Sequence, residues 1–206
     1  MSQSYTLYWD RETGAFVVEA MLAMASAPYE AIRVDMAGGA HRQPPYTDLN
    51  PLARVPTLVL PDGTVLTESA ALVLHLIDRF PEAGFAPPLG TPARPTVYRW
   101  LIFLATDVYD ADLRYYRPAT FTADPTGADA VKSAADAQLT RDLALVEQAL
   151  TPGPFLLGPT MSAADLYLAM VAQWAPEQAR RPGVRAVIDA VRAHPIAGEV
   201  WRRYND

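Results

Sequence analysis

The first 80 residues show hydrophobic patterns of two kinds in alternation. The stretches "YTLYW" at 5–9 and "YEAIRV" at 29–34 are short, and their aromatic and β-branched residues are typical of strands. Between them, "AFVVEAMLAMA" at 15–25 is apolar on nearly every side, as a buried helix would be. The order strand, helix, strand is therefore predicted for residues 5–34.

A hairpin and a second helix are predicted after residue 56. Apolar runs at 57–60 and 64–67 flank "PDG" at 61–63, which is a strong turn signal. After the hairpin, apolar residues recur at helical spacing and define one face: Leu72, Val73, Leu76, Ile77 and Phe80. The segment is thus predicted to fold as βαβ followed by ββα.

The stretch "PEAGFAPPLGTPARP" at 81–95 contains five prolines and two glycines, which exclude a regular helix. We predict that it is a linker. After it, the apolar patterns are helical, from "VYRWLIFLATDVYDADL" to "IAGEVWRRY". The sequence therefore predicts a small α/β domain over residues 1–80, the linker at 81–95 and an all-helical domain over 96–206.

Composition narrows the possible functions. The 206 residues carry a formal net charge of −6, which argues against nucleic acid as a partner, because phosphate binding relies on clustered Lys and Arg. The chain has no cysteine, so a protein thiolate is excluded. The histidines His41, His75 and His194 are scattered, and no metal site is expected. If thiol chemistry takes place on this protein, the sulfur must arrive with a ligand.

Neither a membrane span nor an export signal is predicted. No stretch approaches the ~20 consecutive apolar residues of a transmembrane helix. The start of the chain, "MSQSYTLYWD", lacks the basic residues and the apolar core of a signal peptide. We therefore expect a cytoplasmic protein without a membrane partner.

Pro56 lies where the first strand of the hairpin should begin, directly after Val55. Proline donates no backbone hydrogen bond, and X-Pro is the one peptide bond for which the cis form is readily accessible. A cis bond would turn the N–H and C=O of Val55 outward, where a peptide-like ligand could pair with them as an added strand. The alternative is that Pro56 only ends an edge strand.

Two serine and acidic pairs precede predicted helices. The N-terminal end of a helix attracts anions and a neighbouring carboxylate can receive an ammonium group, so Glu68 and Ser69 could together bind an amino-acid zwitterion. The alternative is that they are only a helix cap. Ser162 and Asp165 have the spacing of a capping box, and we predict that they stabilise the start of a buried helix without a chemical role.

These features resemble the cytosolic glutathione transferases, in particular bacterial members of the theta-like and beta-like branches, over essentially the whole chain. The resemblance rests on the linker, on "NPLARVPTL" and "DGTVLTESAALVLHL", and on the Ser-x-x-Asp box. It implies an α/β thioredoxin-like N-terminal domain that binds glutathione and an all-α C-terminal domain that supplies most of a hydrophobic pocket. It also implies a homodimer, with the small domain of one subunit against the helical domain of the other.

The resemblance further implies a glutathione-binding site in the first domain. The backbone of Val55 and Pro56 would lie against the cysteinyl part of glutathione. Glu68 and Ser69 would bind the γ-glutamyl carboxylate and amine.

The glycyl end of glutathione would meet a different segment. The stretch "GGAHRQPPYTDLNPLARVP" is similar to the theta-like branch, in which a histidine fourteen positions before the valine contacts the glycyl carboxylate. His41 has that spacing. Arg54 stands where a lysine or an arginine assists the histidine in that branch.

The resemblance implies a catalytic residue at the end of the first strand or the start of the first helix. This residue donates a hydrogen bond to the sulfur, since a thiol of pKa ~8.5 is otherwise mostly protonated at neutral pH. Trp9 occupies the family's tyrosine position, and Gly14 the cysteine position of the beta-type enzymes. For the serine position, matching the strands selects Thr13, whereas counting back from "PYE" without gaps selects Glu12, which would repel a thiolate. Thr13 is therefore the predicted catalytic residue, and the alternative is that it only caps the helix.

We predict that Trp9, Tyr109 and Tyr116 line the hydrophobic pocket. Tyr109 and Tyr116 are seven residues apart and so share one face of a helix. The predicted function is a glutathione transferase that conjugates the glutathione thiolate to an apolar electrophile, with a role in detoxification. The alternatives are a glutathione-binding or interaction protein of the same fold without appreciable transferase activity, and a glutathione-dependent peroxidase or isomerase.

Overall fold

Four strands form one sheet within the part of the chain that the computed structural model describes, which is residues 4–150 and 153–205. The strands are β1 (Tyr5–Trp9), β2 (Tyr29–Arg33), β3 (Thr57–Val59) and β4 (Val65–Thr67), in the spatial order β2-β1-β3-β4. β1 and β2 are parallel, whereas β3 is antiparallel to both β1 and β4.

The rest of the described chain is mainly helical. The α-helices are α1 (Ala15–Met24), α2 (Tyr46–Leu49), α3 (Ser69–Arg79), α4 (Arg94–Phe103), α5 (Tyr109–Tyr116), α6 (Ala128–Ala149), α7 (Ala163–Trp174), α8 (Pro182–Ala193) and α9 (Pro195–Asn205). A π-helical segment, Leu104–Val108, joins α4 to α5. Short 3₁₀ turns occur at Ala40–Arg42, Pro81–Ala83, Pro118–Phe121, Pro125–Gly127 and Glu177–Ala179.

The core of the N-terminal half is built around α1. All residues from Ala15 to Leu22 are buried, which agrees with the lack of a polar face in the sequence. α1 packs against β1, α3 and α9. The apolar face of α3 that the sequence predicts is buried at Leu72, Val73, Leu76 and Ile77, whereas Phe80 is half-buried.

The helical half has its own core. Every residue of α7 from Ala163 to Ala172 is buried, and α7 packs against α4, α5 and the π-helical segment. The predicted capping box is present at its start: Asp165 accepts hydrogen bonds from both the N–H and the hydroxyl of Ser162. Asp165 also accepts one from the N–H of Leu156, at 2.8 Å, so it holds the preceding loop as well.

The chain divides into two compact units. One consists of residues 1–85 and 192–206, and the other of residues 86–191. α9 thus belongs to the N-terminal unit. The domain boundaries at residues 80 and 96, which were placed from the proline-rich stretch, stay predictions. No helix in the described residues is both long and apolar enough to span a bilayer.

The predicted fold class, a thioredoxin-like α/β unit together with a helical unit, is confirmed by the order and pairing of these elements. Two elements had no sequence signal. α2 has only four residues, too few to show a period, and the π-helical segment is hidden in a continuous helical pattern.

Candidate functional site

The register of the sheet brings three loops to one end of the N-terminal unit. Tyr8 in β1 lies opposite Thr57 at the start of β3, and Thr57 lies opposite Thr67 at the end of β4. Because β3 runs against both neighbours, the loop after β1, the loop before β3 and the residues after β4 meet there. These segments contain the predicted residues Thr13, Val55 and Pro56, and Glu68 and Ser69.

Gly14 marks the closest approach of the three segments. A Cβ atom placed on Gly14 would lie 3.2 Å from both Cβ and Oγ of Ser69 and 3.4 Å from Cδ of Pro56. A side chain here would make a tighter contact than most Cβ atoms do, so Ser69 would have to give by a few tenths of an ångström. A cysteine at this position, as in the beta-type enzymes, would require Ser69 to move.

The backbone around Val55 has one of the two forms that the sequence left open. The Val55–Pro56 peptide bond is cis. Among the residues that the structure describes, no hydrogen bond uses the N–H or the C=O of Val55. This stretch therefore offers a donor and an acceptor to a peptide-like ligand.

Two buried polar side chains hold the backbone of the residue before Val55 in place. The carbonyl of Arg54 accepts hydrogen bonds from the hydroxyl of Tyr46, at 2.5 Å, and from the amide of Asn50, at 2.8 Å. Both side chains also bond to Oγ1 of Thr57, beyond the cis bond. Burial raises the pKa of Tyr46, so its hydroxyl stays protonated and able to donate.

Sequence reasoning missed Tyr46 and Asn50. The signal for Asn50 was present in "NPLARVP", where a side-chain amide precedes the cis bond by a few residues. No local signal marked Tyr46, because its hydrogen bond to the Arg54 carbonyl forms only when the chain after residue 53 folds back against α2.

Glu68 and Ser69 lie at the start of α3. Glu68 is exposed and adopts a φ of 67°, which is in the region that favours glycine, and its carbonyl accepts the first helical hydrogen bond, from Leu72. Strained backbone of this kind is often found where a side chain must be aimed at a ligand. Ser69 is buried at the first position of the helix.

The loop of residues 10–14 joins β1 to α1 and carries Thr13. The Thr13 hydroxyl donates to the carbonyl of Asp10, at 2.6 Å, while its contact with the Ala15 N–H is long, at 3.5 Å. The carboxylate of Asp10 accepts from Arg33 and from the N–H of Met36. Burial raises the pKa of Asp10, but the hydrogen bonds from Arg33 and from backbone N–H groups outweigh burial and lower it overall.

The structure places the predicted glycyl-binding residues on two segments. His41 is buried in the turn Ala40–Arg42, which packs against α2, and Arg54 is exposed directly before Val55. Within the described residues, Nδ1 of His41 has no hydrogen-bond partner. A buried ring nitrogen without a partner is unusual and is compatible with a role toward a ligand.

The predicted pocket residues lie in different units. Trp9 is buried in the N-terminal unit, with its ring against Tyr204 at a centroid distance of 4.7 Å. In the helical unit, the Tyr109 ring lies 5.2 Å from the Trp174 ring, and the hydroxyl of Tyr116 donates to the Trp174 carbonyl, at 2.6 Å. Tyr109 and Tyr116 thus share Trp174 as a neighbour, a residue that no sequence pattern had marked.

Chemically, the N-terminal site combines a free backbone edge, a helix N-terminus, an exposed carboxylate and a hydroxyl. These groups suit a small peptide that carries a free carboxylate and an ammonium group. No side chain in the cluster is a strong nucleophile, so a reacting nucleophile would have to come from the ligand.

Family models match both units. Residues 15–79 match the model described as glutathione S-transferase, N-terminal domain, and residues 121–198 match glutathione S-transferase, C-terminal domain. The predicted family resemblance is therefore confirmed by an independent comparison.

Individual relatives and structures agree with the family models. The chain is 32% identical over 198 residues to the uncharacterized GST-like protein YncG of Escherichia coli strain K12, covering 92% of this chain and 93% of that protein. It is 32% identical over 130 residues to glutathione S-transferase GstA of Escherichia coli O157:H7, covering 63% of this chain and 61% of that protein. A crystal structure of a glutathione transferase homolog from Sulfitobacter with bound glutathione superposes with a TM-score of 0.89 at 26% identity, covering 98% and 99% of the two chains.

Proposed function

The chain belongs to the glutathione transferase family, and we propose that it binds glutathione in its N-terminal unit and transfers it to an apolar electrophile. The observation that carries this proposal is the contact of Gly14 with Pro56 and Ser69, beside the unpaired backbone of Val55. The glutathione bound in the Sulfitobacter homolog supports the choice of ligand.

In the proposed complex, glutathione lies along the Val55 edge. The N–H and C=O of Val55 pair with its cysteinyl residue. The γ-glutamyl carboxylate lies at the start of α3 with Ser69, and the amine faces Glu68. The glycyl carboxylate faces His41 and Arg54.

Thr13 is the proposed activating residue. A hydroxyl has a single proton, and that of Thr13 points to the Asp10 carbonyl, so it must turn toward the sulfur when glutathione binds. The thiol gives its proton to solvent, and the thiolate attacks the electrophilic carbon to form a C–S bond. In a substitution the leaving group departs with the bonding electrons, and in an addition the neighbouring carbon takes up a proton. The protein contributes orientation and stabilises the thiolate.

The electrophile is proposed to contact Tyr109 and Tyr116 of the helical unit, with Trp9 on the glutathione side. We also propose that the protein is a cytoplasmic homodimer that acts in detoxification. These parts of the proposal follow from the family resemblance.

Ultraviolet titration of bound glutathione tests the role of Thr13. The wild type should hold the thiol pKa below its free value of about 8.5. Thr13→Val keeps the shape of the side chain without the hydroxyl and should return the pKa to the free value, whereas Thr13→Ser should keep it low. A wild-type thiol that titrates like free glutathione would contradict the transferase mechanism.

The orientation of the ligand is tested separately. Glu68→Ala and Ser69→Ala should each weaken glutathione binding about two- to tenfold, as expected for the loss of one hydrogen bond, with little loss of stability. Glu82→Ala, on the exposed turn Pro81–Ala83, is the control. Unchanged affinity in both site variants would refute this orientation.

A glutathione-binding protein without appreciable transferase activity is the second candidate. The observation in its favour is the 2.6 Å hydrogen bond that commits the Thr13 hydroxyl to Asp10. This candidate expects glutathione affinity together with an unshifted thiol pKa, so the same titration separates the two functions.

A further inference from the structure

A buried carboxylate links the last helix to the first. Glu19, on α1, is fully buried. Its Oε1 accepts from the hydroxyl of Tyr29, at 3.0 Å, its Oε2 accepts from the hydroxyl of Tyr204, at 2.8 Å, and it forms an ion pair with Arg203. A carboxylate removed from water needs such partners to remain charged. The set of donors therefore holds the end of α9 at a defined place on α1.

The same end of α9 contacts the loop that carries Thr13. The Tyr204 ring packs on Trp9, directly before the loop, and the Arg203 guanidinium lies 5.2 Å from the centre of the Trp9 ring. The Tyr204 carbonyl accepts a hydrogen bond from the N–H of Glu12, at 3.3 Å. Tyr204 thus contacts the residue before the loop with its ring and the middle of the loop with its carbonyl.

The hydrogen bond from Glu12 to Tyr204 lies at the residue of the loop whose backbone conformation is least favourable. Glu12 is exposed and has a φ of 51°, a left-handed conformation that is disfavoured for residues other than glycine. Such a conformation persists only where the surroundings hold it. The following residue is Thr13, whose hydroxyl closes the loop on Asp10.

We propose that Tyr204 is a positioning residue for the loop of residues 10–14, and that the buried carboxylate of Glu19 fixes Tyr204 for this purpose. The inference rests on the proposed function for its effect on thiol activation, because the loop carries Thr13. Its effect on the loop itself does not depend on glutathione.

Tyr29 provides a matched control. It donates to the same carboxylate as Tyr204, but from β2, and no hydrogen bond or ring contact in the described residues joins its side chain to the loop. Removing either hydroxyl takes one donor from Glu19. Only the removal at Tyr204 loosens a residue that packs on Trp9, directly before the loop, and whose backbone carbonyl accepts from Glu12 within it.

The experiment compares Tyr204→Phe and Tyr29→Phe in the full chain. The first readout is amide hydrogen exchange of residues 10–14 without ligand, where Tyr204→Phe should speed exchange by about tenfold over Tyr29→Phe at matched loss of global stability. The second readout is turnover with glutathione and 1-chloro-2,4-dinitrobenzene. Tyr204→Phe should lower kcat between about 5- and 100-fold, with a smaller change in KM for glutathione. It should also raise the pKa of the bound thiol.

The outcomes separate the two ideas. Equal exchange of the loop in both variants would overturn the positioning role, and so would a wild-type thiol pKa and kcat in Tyr204→Phe. If the wild type binds no glutathione, or binds it without lowering the thiol pKa, the proposed function fails, and the exchange measurement alone decides the role of Tyr204. Should Tyr204→Phe not fold, the double variant Glu19→Gln with Tyr204→Phe removes the underpaired charge and is compared with Glu19→Gln alone.

Discussion

Gly14 illustrates how much a missing side chain contributes to this site. The position holds ordinary helical backbone, so the turn does not call for glycine; the close packing does, because an added Cβ atom would lie 3.2 Å from Ser69. The absence of a side chain is therefore a packing requirement of the candidate site.

We expect Gly14→Ala to weaken glutathione binding by about two- to tenfold, the size of one displaced hydrogen bond, because the added methyl pushes Ser69 off the ligand. Calorimetric titration measures the affinity. Ala71→Ser, on an exposed position of α3, is the control for a small change near the same helix end. An affinity unaffected by Gly14→Ala would mean that Ser69 does not contact the ligand.

Asp112 is a residue that the proposed function does not use. It is 3% exposed in α5, and within the described residues neither carboxylate oxygen has a hydrogen-bond partner. Burial raises the pKa of Asp112 to about 8. The folded protein therefore favours the protonated form of Asp112. Its contribution to the free energy of unfolding is complete below the unfolded pKa of about 4 and is lost as the pH rises toward 8.

We expect Asp112→Asn to become progressively more stable than the wild type between pH 5 and 8, by at most about 1.4 kcal/mol for each pH unit. Urea unfolding at several pH values measures the difference. Asp110→Asn, on the same helix but paired with Arg114 at the surface, should show no such trend. A constant difference between Asp112→Asn and wild type across this range would contradict the buried, protonated state.

At the scale of elements, the start of α7 depends on two residues that were recognisable from their spacing. Ser162 and Asp165 form the capping box, and Asp165 additionally holds the N–H of Leu156. The spacing predicted the first interaction. The second depends on a loop that returns to the helix, and no short-range pattern reports it.

We expect Ser162→Ala to lower the free energy of unfolding by about 1 kcal/mol. Asp165→Ala should lower it by more, about 2–4 kcal/mol, because buried N–H groups of Ser162 and Leu156 lose their acceptor. Chemical denaturation measures both, with Ser133→Ala on the exposed side of α6 as the control. Equal losses in Ser162→Ala and Asp165→Ala would show that the bond to Leu156 contributes nothing.

At the scale of the whole molecule, exposed apolar side chains bear on the proposed homodimer. Each unit carries exposed large apolar side chains, including Leu52, which is 60% exposed, in the N-terminal unit and Ile102 in the helical unit. In the proposed dimer, a partner subunit covers residues of this kind.

We expect light scattering to give a mass near 45 kDa, twice the 22.5 kDa of the chain. Leu52→Arg and Ile102→Arg should raise the dimer dissociation constant at least about tenfold, because each variant places a charged side chain in an apolar contact between the subunits. Leu89→Arg, at an exposed position of the proline-rich stretch, is the control. A wild-type mass of one chain at micromolar concentration would refute the dimer.

The sequence by itself determined the succession of elements and the class of chemistry. Periodicity and turn residues are properties of near neighbours, so β1, α1 and β2 could be predicted with nearly their observed ends. The absence of cysteine already meant that any thiol chemistry on this protein would need a thiol from a ligand. Pro56 and the Glu68 and Ser69 pair were identified as candidates for the same local reasons.

Only the tertiary structure decided which groups meet. The packing of Gly14 against Ser69 and the hydrogen bond from Tyr204 to Glu19, 185 residues apart in sequence, join distant segments. Such contacts depend on how side-chain volumes and polar groups fit once the elements pack, and a single sequence does not record that fit in any short stretch. The commitment of the Thr13 hydroxyl to Asp10 is of the same kind, because a rotamer is chosen by its folded surroundings.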